Sequence, residues 1–237
     1  MQRTREPGAD VKRLVMADKL EDDSPLIDPP PAAEGDAGEV VSPKRSAIVA
    51  AATELFTHSG YGDVSMDAIA AQAGVSKRTV YSHFPGKDVL FAAVMTRHCG
   101  KVSGGDVWTL DPEVEPRQML GDRGRRFLRL ITSPEAVALF RTVTAEAARF
   151  PELGRAFFET GPKCWVGSFE AYLKAQDEKG RLRIPNPEMA AKFLFSLLKD
   201  PLHLRVMLGV QSQVTEAEIA AHVDNVVDAF LDHYRKD

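Results

Sequence analysis

The chain is poor in everything that would mark secretion, a membrane span, metal binding or redox chemistry. Two cysteines among 237 residues, Cys99 and Cys164, supply neither a disulfide framework nor a four-ligand zinc site. No run approaches the ~18 uninterrupted apolar residues of a membrane-spanning helix. The first ten residues carry early charge with no apolar segment behind it, which argues against a secretory signal. A reducing cytoplasm is therefore the expected compartment. His58, His83, His98, His203, His222 and His233 include no pair four residues apart, and His98 and Cys99, being adjacent, point to different faces of a helix. No metal or cofactor is expected. Hydrolase, zinc-protease, Walker and dinucleotide motifs are absent, and the nearest carboxylate pairs, Glu216/Glu218 and Asp177/Glu178, fall at helix ends where caps and dipoles explain them. An enzyme is not expected.

What is present suits a globular protein: 44% apolar residues can build a sizeable core. The net charge of −4 is unevenly spread. Residues 1–41 hold five Lys and Arg against ten Asp and Glu, leaving 25 against 24 for the rest. That segment also carries five of the 15 prolines and no apolar period, so it reads as a solvated acidic tail. The remaining body, close to neutral, has room for a local basic patch.

From Ser42 onward apolar residues fall at helical spacing almost to the end. The first helix spans Ser42 to His58 and stops at Gly60. Short helices follow from Met66 to Ala73, capped by Ser65, and from Ser76 through His83; a longer one runs from Lys87 to about Cys99. Residues 100–117 read as a loop. Helices then cover Arg117–Ile131, Pro134–Arg149 and Pro151–Lys179, the last broken at Gly161-Pro162. Two more close the chain, Pro187–Gly209 with Asp200 capping a new turn at Pro201, and Thr215–Tyr234 opened by a Thr215/Glu218 capping box. The expected class is all-α: a three-helix domain over residues 42–91 and a helical bundle over 92–237.

Function concentrates between Ser65 and Phe84. Ala70 is small where two helices would meet, and Gly74 supplies the left-handed turn between them. Ile69, Val75, Val80 and Phe84 face a core, which leaves Lys77, Arg78, Thr79, Tyr81 and His83 on the outer face of the helix that Ser76 opens. Such a face suits the major groove of DNA. Lys44 and Arg45 at the start of the first helix, Ser65 at a helix N-terminus, the Tyr81 hydroxyl and Lys87 are expected on phosphates, with Lys77, Arg78 and Thr79 reading bases. Removing the Lys87 contact should flatten the salt dependence of binding by about 1.

Arg45, Ala51-Ala52, Leu55-Phe56, Gly60-Tyr61, Ile69-Ala70, Ala73-Gly74-Val75-Ser76, Thr79-Val80-Tyr81, His83-Phe84, Lys87 and Leu90 together resemble the TetR family of transcriptional regulators, over about residues 44–91. The resemblance implies that Tyr81 and Lys87 are the family's phosphate-contacting pair and that the helix from Ser76 is its recognition helix. Ala145–Leu153, Phe157–Pro162 and Gly180-Arg181-Leu182 are similar to the AefR-like C-terminal subclass. The resemblance also implies a second helical domain that dimerises and takes a small effector, and with it a DNA operator, a second copy of the chain and an effector as partners. The resemblance implies a repressor released from a pseudo-palindromic operator, with activation as the alternative.

The expected dimer face carries Phe193, Leu197, Val223, Val227 and Phe230 on the last two long helices, stripes that would also serve to close a protomer core. The expected effector pocket, for an apolar or aromatic ligand, draws on Phe127, Phe140, Phe157, Phe158, Trp165 and Phe169, each equally at home in plain core. Arg126, Arg129 and Arg141 would pair an acidic effector or simply form wet helix faces. Cys164 reads as a buried thiol.

Overall fold

Helix starts in this chain are written by proline and by small polar caps. The computed structural model describes residues 42–103 and 110–236. They form α1 (Pro43–Ser59), α2 (Met66–Gln72), α3 (Lys77–His83), α4 (Lys87–Ser103), α5 (Pro116–Ile131), α6 (Pro134–Glu146), α7 (Pro151–Thr160), α8 (Pro162–Glu178), α9 (Pro187–Lys199), α10 (Leu202–Met207) and α11 (Glu216–His233). Proline opens α1 and α5 through α9, where its missing N–H costs no hydrogen bond and its fixed φ suits the first turn. Ser65, Ser76, Ser133, Asn186 and Thr215 cap α2, α3, α6, α9 and α11 with their side chains, Thr215 in a reciprocal box with Glu218. Among the described residues the one pairing of extended backbone is an isolated bridge, Leu182 to Arg235, so the fold is all-α. No helix of the described residues is long and apolar enough to cross a membrane.

Some boundaries differ from the sequence expectation. Pro201 does break the penultimate segment into α9 and α10, but Asp200 does not cap the new helix. The Asp200–Pro201 peptide is cis, and Pro201 itself occupies the cap position. Helix α4 continues past Cys99 to Ser103, and α6 stops at Glu146, whose carbonyl accepts from the N–H groups of both Arg149 and Phe150. The acidic tail expected over residues 1–41 lies outside the described residues.

Two apolar clusters form. In the first, α1–α4 contribute Ile48, Phe56, Ile69, Val80, Phe84 and Phe91, joined by Leu139 and Val143 of α6 and Leu153 of α7. In the second, α5, α8, α9 and α11 contribute Phe127, Trp165, Phe169, Leu194, Val223 and Phe230. The expected domain boundary after residue 91 thus falls inside α4, and the first core borrows from α6 and α7.

The expected dimer face requires a correction. Val223, Val227 and Phe230 are only 0%, 2% and 4% exposed, packed in the protomer's own core. A single apolar stripe goes to the nearest apolar surface, which for α11 is α5 and α9. Gly124 of α5 permits the approach: a Cβ there would lie 3.0 Å from both Val223 Cγ1 and Leu198 Cδ2. Ion pairs reinforce the seam, Arg125 to Asp224 and Arg129 to Glu216 at 2.6 Å each, with Arg117 on Asp228. Phe193 and Leu197 do face outward, about half exposed, with Met189 one turn earlier on the same side. Phe230→Ala should therefore cost the folded protomer about 3–5 kcal/mol in a denaturant titration; a loss below about 1 kcal/mol would return Phe230 to a free surface.

Candidate nucleic-acid interface and a cavity on α6

The α2–α3 pair is built by short-range rules. Ser65 Oγ accepts from Ala68 N–H at 3.1 Å, and Ser76 Oγ accepts from Thr79 N–H at 3.1 Å. Between them Gly74 takes φ +65°, and the Val75 N–H returns to the Ala70 carbonyl at 3.1 Å. Buried Ile69, Ala70, Val80 and Phe84 fix the pair on α1 and α4. What stays outside on α3 is Lys77, Arg78 and Tyr81, all exposed, with His83 half-buried at its end. Arg78 and the Tyr81 hydroxyl make no hydrogen bond among the described residues, whereas Lys77 pairs with Asp67 of α2. Thr79 is half-buried and its hydroxyl shares a 2.8 Å hydrogen bond with Ser76 Oγ, so it belongs to the cap as much as to the outer face. Lys44 and Arg45 are exposed at the start of α1, the Arg45 guanidinium lying 5.1 Å from the Phe84 ring centre.

Lys87 is placed differently from the sequence expectation. Its ammonium donates to the carbonyls of Tyr61 at 2.6 Å, Val64 at 2.9 Å and Gly62 at 3.4 Å, and sits 4.3 Å from the Tyr61 ring centre. Burial pulls its pKa below the usual lysine range, against the opposing pull of Glu146, Glu152 and Asp63. The reason is local supply and demand. The α1–α2 loop presents carbonyls that no helix uses, and a long stem beside aromatic rings can deliver a cation to them.

The same loop is held from the other side by Glu146, the last residue of α6. Its two carboxylate oxygens accept from Tyr61 N–H at 2.7 Å and Gly62 N–H at 2.5 Å. Glycines at positions 60 and 62 leave room for that carboxylate. A Cβ on Gly60 would stand 2.6 Å from Glu146 Oε1, and one on Gly62 would stand 2.8 Å from Oε2. The helix-turn-helix is thereby tied to α6.

At the other end of α6 lies a cavity of about 110 Å³. Phe127, Phe140, Phe157 and Trp165 line it as expected, with Phe140 edge-on to Phe157 at 5.3 Å and Phe127 4.9 Å from Trp165. Phe158 does not reach it: adjacent to Phe157 on α7, it faces out and is 56% exposed. Phe169 lies one layer deeper, fully buried behind Trp165. Sequence reasoning missed His98, Lys199 and His203 on its wall. The arginines expected for an acidic effector are engaged elsewhere, Arg129 with Glu216 and Arg141 with the carbonyls of Val206 and Met207, while Arg126 is exposed. Cys164 is half-buried rather than buried, its thiol donating to the Glu159 carbonyl and its pKa raised by burial. No cluster of three or more metal-ligating side chains occurs among the described residues.

Comparison with known proteins matches both halves. Residues 48–94 match the model for bacterial regulatory proteins of the tetR family, and residues 118–236 match the AefR-like transcriptional repressor C-terminal domain. The chain belongs to the TetR family. A TetR-family transcriptional regulator from Mesorhizobium loti is similar at 33% identity and TM-score 0.69, over 81% of this chain and 97% of that one. The flavonoid-responsive regulator FrrA is similar at 32% identity and TM-score 0.66, over the same shares. The transcriptional activator FasR of Mycolicibacterium smegmatis is 39% identical over 77 residues, 32% of this chain. The match spans only 35% of FasR's length. Membership places the chain among DNA-binding helix-turn-helix regulators of transcription and not among enzymes.

Within this TetR-family frame the clamp on the α1–α2 loop is the element the sequence reading missed. Glu146→Ala removes two charge-assisted hydrogen bonds, each worth roughly 1.5–3 kcal/mol. It should lower the melting temperature and accelerate hydrogen exchange at the Tyr61 and Gly62 amides. Unchanged exchange at both would show that the carboxylate does not hold the loop.

Proposed function

We propose that the protein is a homodimeric repressor acting in the cytoplasm, released from a pseudo-palindromic operator by a small aromatic or apolar effector. The observation that carries this reading is the outward face of α3, where Arg78 and Tyr81 project with their polar groups unengaged by described residues. Lys77, Thr79 and His83 flank them, and Ser76 caps the helix they stand on. Arg78 and Lys77 take base edges, while Tyr81, Lys44, Arg45 and Ser65 meet phosphates. Lys87 acts in this reading by rigidifying the α1–α2 loop. The match to an AefR-like repressor domain supports repression.

A single seven-residue helix cannot select one site in a genome, and a two-fold pair set ~34–36 Å apart can. The second copy docks on the outward side of α9, where Met189, Phe193 and Leu197 stand four residues apart and 44%, 54% and 51% exposed. Helix α11 runs beside it with Ala217, Ala221, Asn225 and Ala229 exposed at the same spacing, small enough to admit a neighbouring helix.

Effector release follows from what borders the cavity. Met95 and His98 come from α4, whose other end adjoins α3, and Ala136 and Phe140 come from α6, whose end holds the α1–α2 loop. A ligand that binds one spacing of these helices better than another shifts the dimer between operator-competent and incompetent forms.

Anisotropy titrations against an operator recovered by genome-wide footprinting test the reading. Arg78→Ala should weaken binding by about 1–3 kcal/mol and relax the preference at one base position. Lys44→Ala should weaken all sequences alike and flatten the salt slope by about 1, whereas Lys87→Ala should lower thermal stability and leave the slope in place. Operator binding unaffected by Arg78→Ala and Tyr81→Phe together would refute the assignment of α3. Sedimentation should give a dimer that Phe193→Asp converts to monomer; a wild-type monomer would refute the docking face.

A further inference from the structure

The polar groups of the cavity are too specific for a hydrocarbon site. Its aromatic wall comes from five helices, α5 to α9, and its polar lining is His98, Lys199 and His203, with no carboxylate among the lining residues. His98 is already engaged: its Nδ1 lies 3.4 Å from Glu135 Oε2 and its Nε2 lies 3.3 Å from Ser133 Oγ. His203 differs. It is 7% exposed, its ring stands perpendicular to Phe140 at 5.1 Å, and neither ring nitrogen is hydrogen-bonded by a described residue. Its ring nitrogens are left for a polar group entering the cavity to complete. Four residues earlier, across the break between α9 and α10, is Lys199, whose nearest carboxylate is the exposed Asp200 at 3.9 Å.

We propose that this cavity takes a one-ring aromatic carboxylate, its ring among Phe127, Phe140, Phe157 and Trp165 and its carboxylate on Lys199 and His203. The proposal rests on the reading of this cavity as the effector site and specifies what that site selects. Size limits the ring count: a dry protein cavity of about 150 Å³ accepts benzene, so about 110 Å³ holds at most one ring and excludes fused polycycles. Charge sets the sign. With one cation, two imidazoles and no acid on the wall, an entering anion meets complementary charge, whereas a neutral ring leaves the His203 nitrogens without a polar partner. Burial and the neighbouring Lys199 lower the His203 pKa from its ordinary value, which favours the neutral imidazole, and that form can donate one N–H to a carboxylate oxygen.

The test compares acids with their uncharged isosteres on the full chain. Benzoate and phenylacetate are titrated by calorimetry beside benzamide, phenylacetamide and toluene, with operator binding followed in parallel. The acids should bind roughly tenfold or more tighter than the amides and release the operator. Lys199→Met should bring the acids down to the amide level while amide affinity persists, showing the cavity intact; Lys199→Arg should restore the preference. Amides equal to acids, toluene binding without acids, or no binding by any of the five would each overturn the proposal. In the first two cases ligand-driven operator release would leave the effector reading standing. Selective, Lys199-dependent acid binding with unchanged operator affinity would uphold the carboxylate site and refute the effector reading instead.

Discussion

The loop between α1 and α2 is a stretch of peptide that no helix satisfies, and the molecule's working geometry depends on how its polar groups are met. Two N–H groups face Glu146 and three carbonyls face Lys87. The carboxylate and the ammonium therefore grip the same few residues from opposite sides, with Tyr61 and Phe150 shielding the ammonium from water. Charge-assisted bonds in a partly dry setting are short and strong, and leaving either set unmade costs more than an exposed ion pair of the same length. The orientation of the helix-turn-helix relative to α6 is set there rather than by apolar packing alone.

That placement gives α6 two jobs at opposite ends. Its first turns wall the cavity through Ala136 and Phe140, and its last residue holds the loop. At 1.5 Å per residue, Phe140 and Glu146 are about 9 Å apart along the axis. A helix of that length is stiff, so displacement at one end arrives at the other as displacement, not as bending. Helix α4 offers a parallel route, since Met95 and His98 touch the cavity while Leu90 and Phe91 are buried with α1. Ser133, the cap of α6, also meets His98 of α4, so the two routes are joined at the cavity itself.

What could be read from the sequence was what local chemistry decides. The helix-turn-helix is announced by Ser65, Gly74 and Ser76, each acting within five residues of itself, and the structure has each in that role. The clamp was illegible for the opposite reason: Glu146 meets Tyr61 across eighty-five residues of chain, and nothing around Glu146 marks it as more than the end of a helix. Lys87 could be singled out as important but not aimed, because its stem reaches phosphate or carbonyl with equal ease until the aromatic wall is known. Phe157 and Phe158 could not be told apart by a 3.6-residue period with so many aromatics near. Helix α9 is apolar nearly all round, so periodicity alone did not say which residues seal the core and which, like Phe193, remain outside.

Helix α11 is fastened to α5 by three arginine–carboxylate pairs and by its apolar stripe, which leaves Ala217, Ala221, Asn225 and Ala229 in a row on its outer edge. In a two-fold assembly built on that edge, the girth of those side chains fixes how closely two such rods can lie. It fixes in turn how far apart the paired reading heads stand at the other extremity of the molecule. In the proposed dimer the methyl group of Ala221 would act as a spacer gauge: bulk added there would be felt as a change in the number of base pairs between half-sites, at a position away from the duplex.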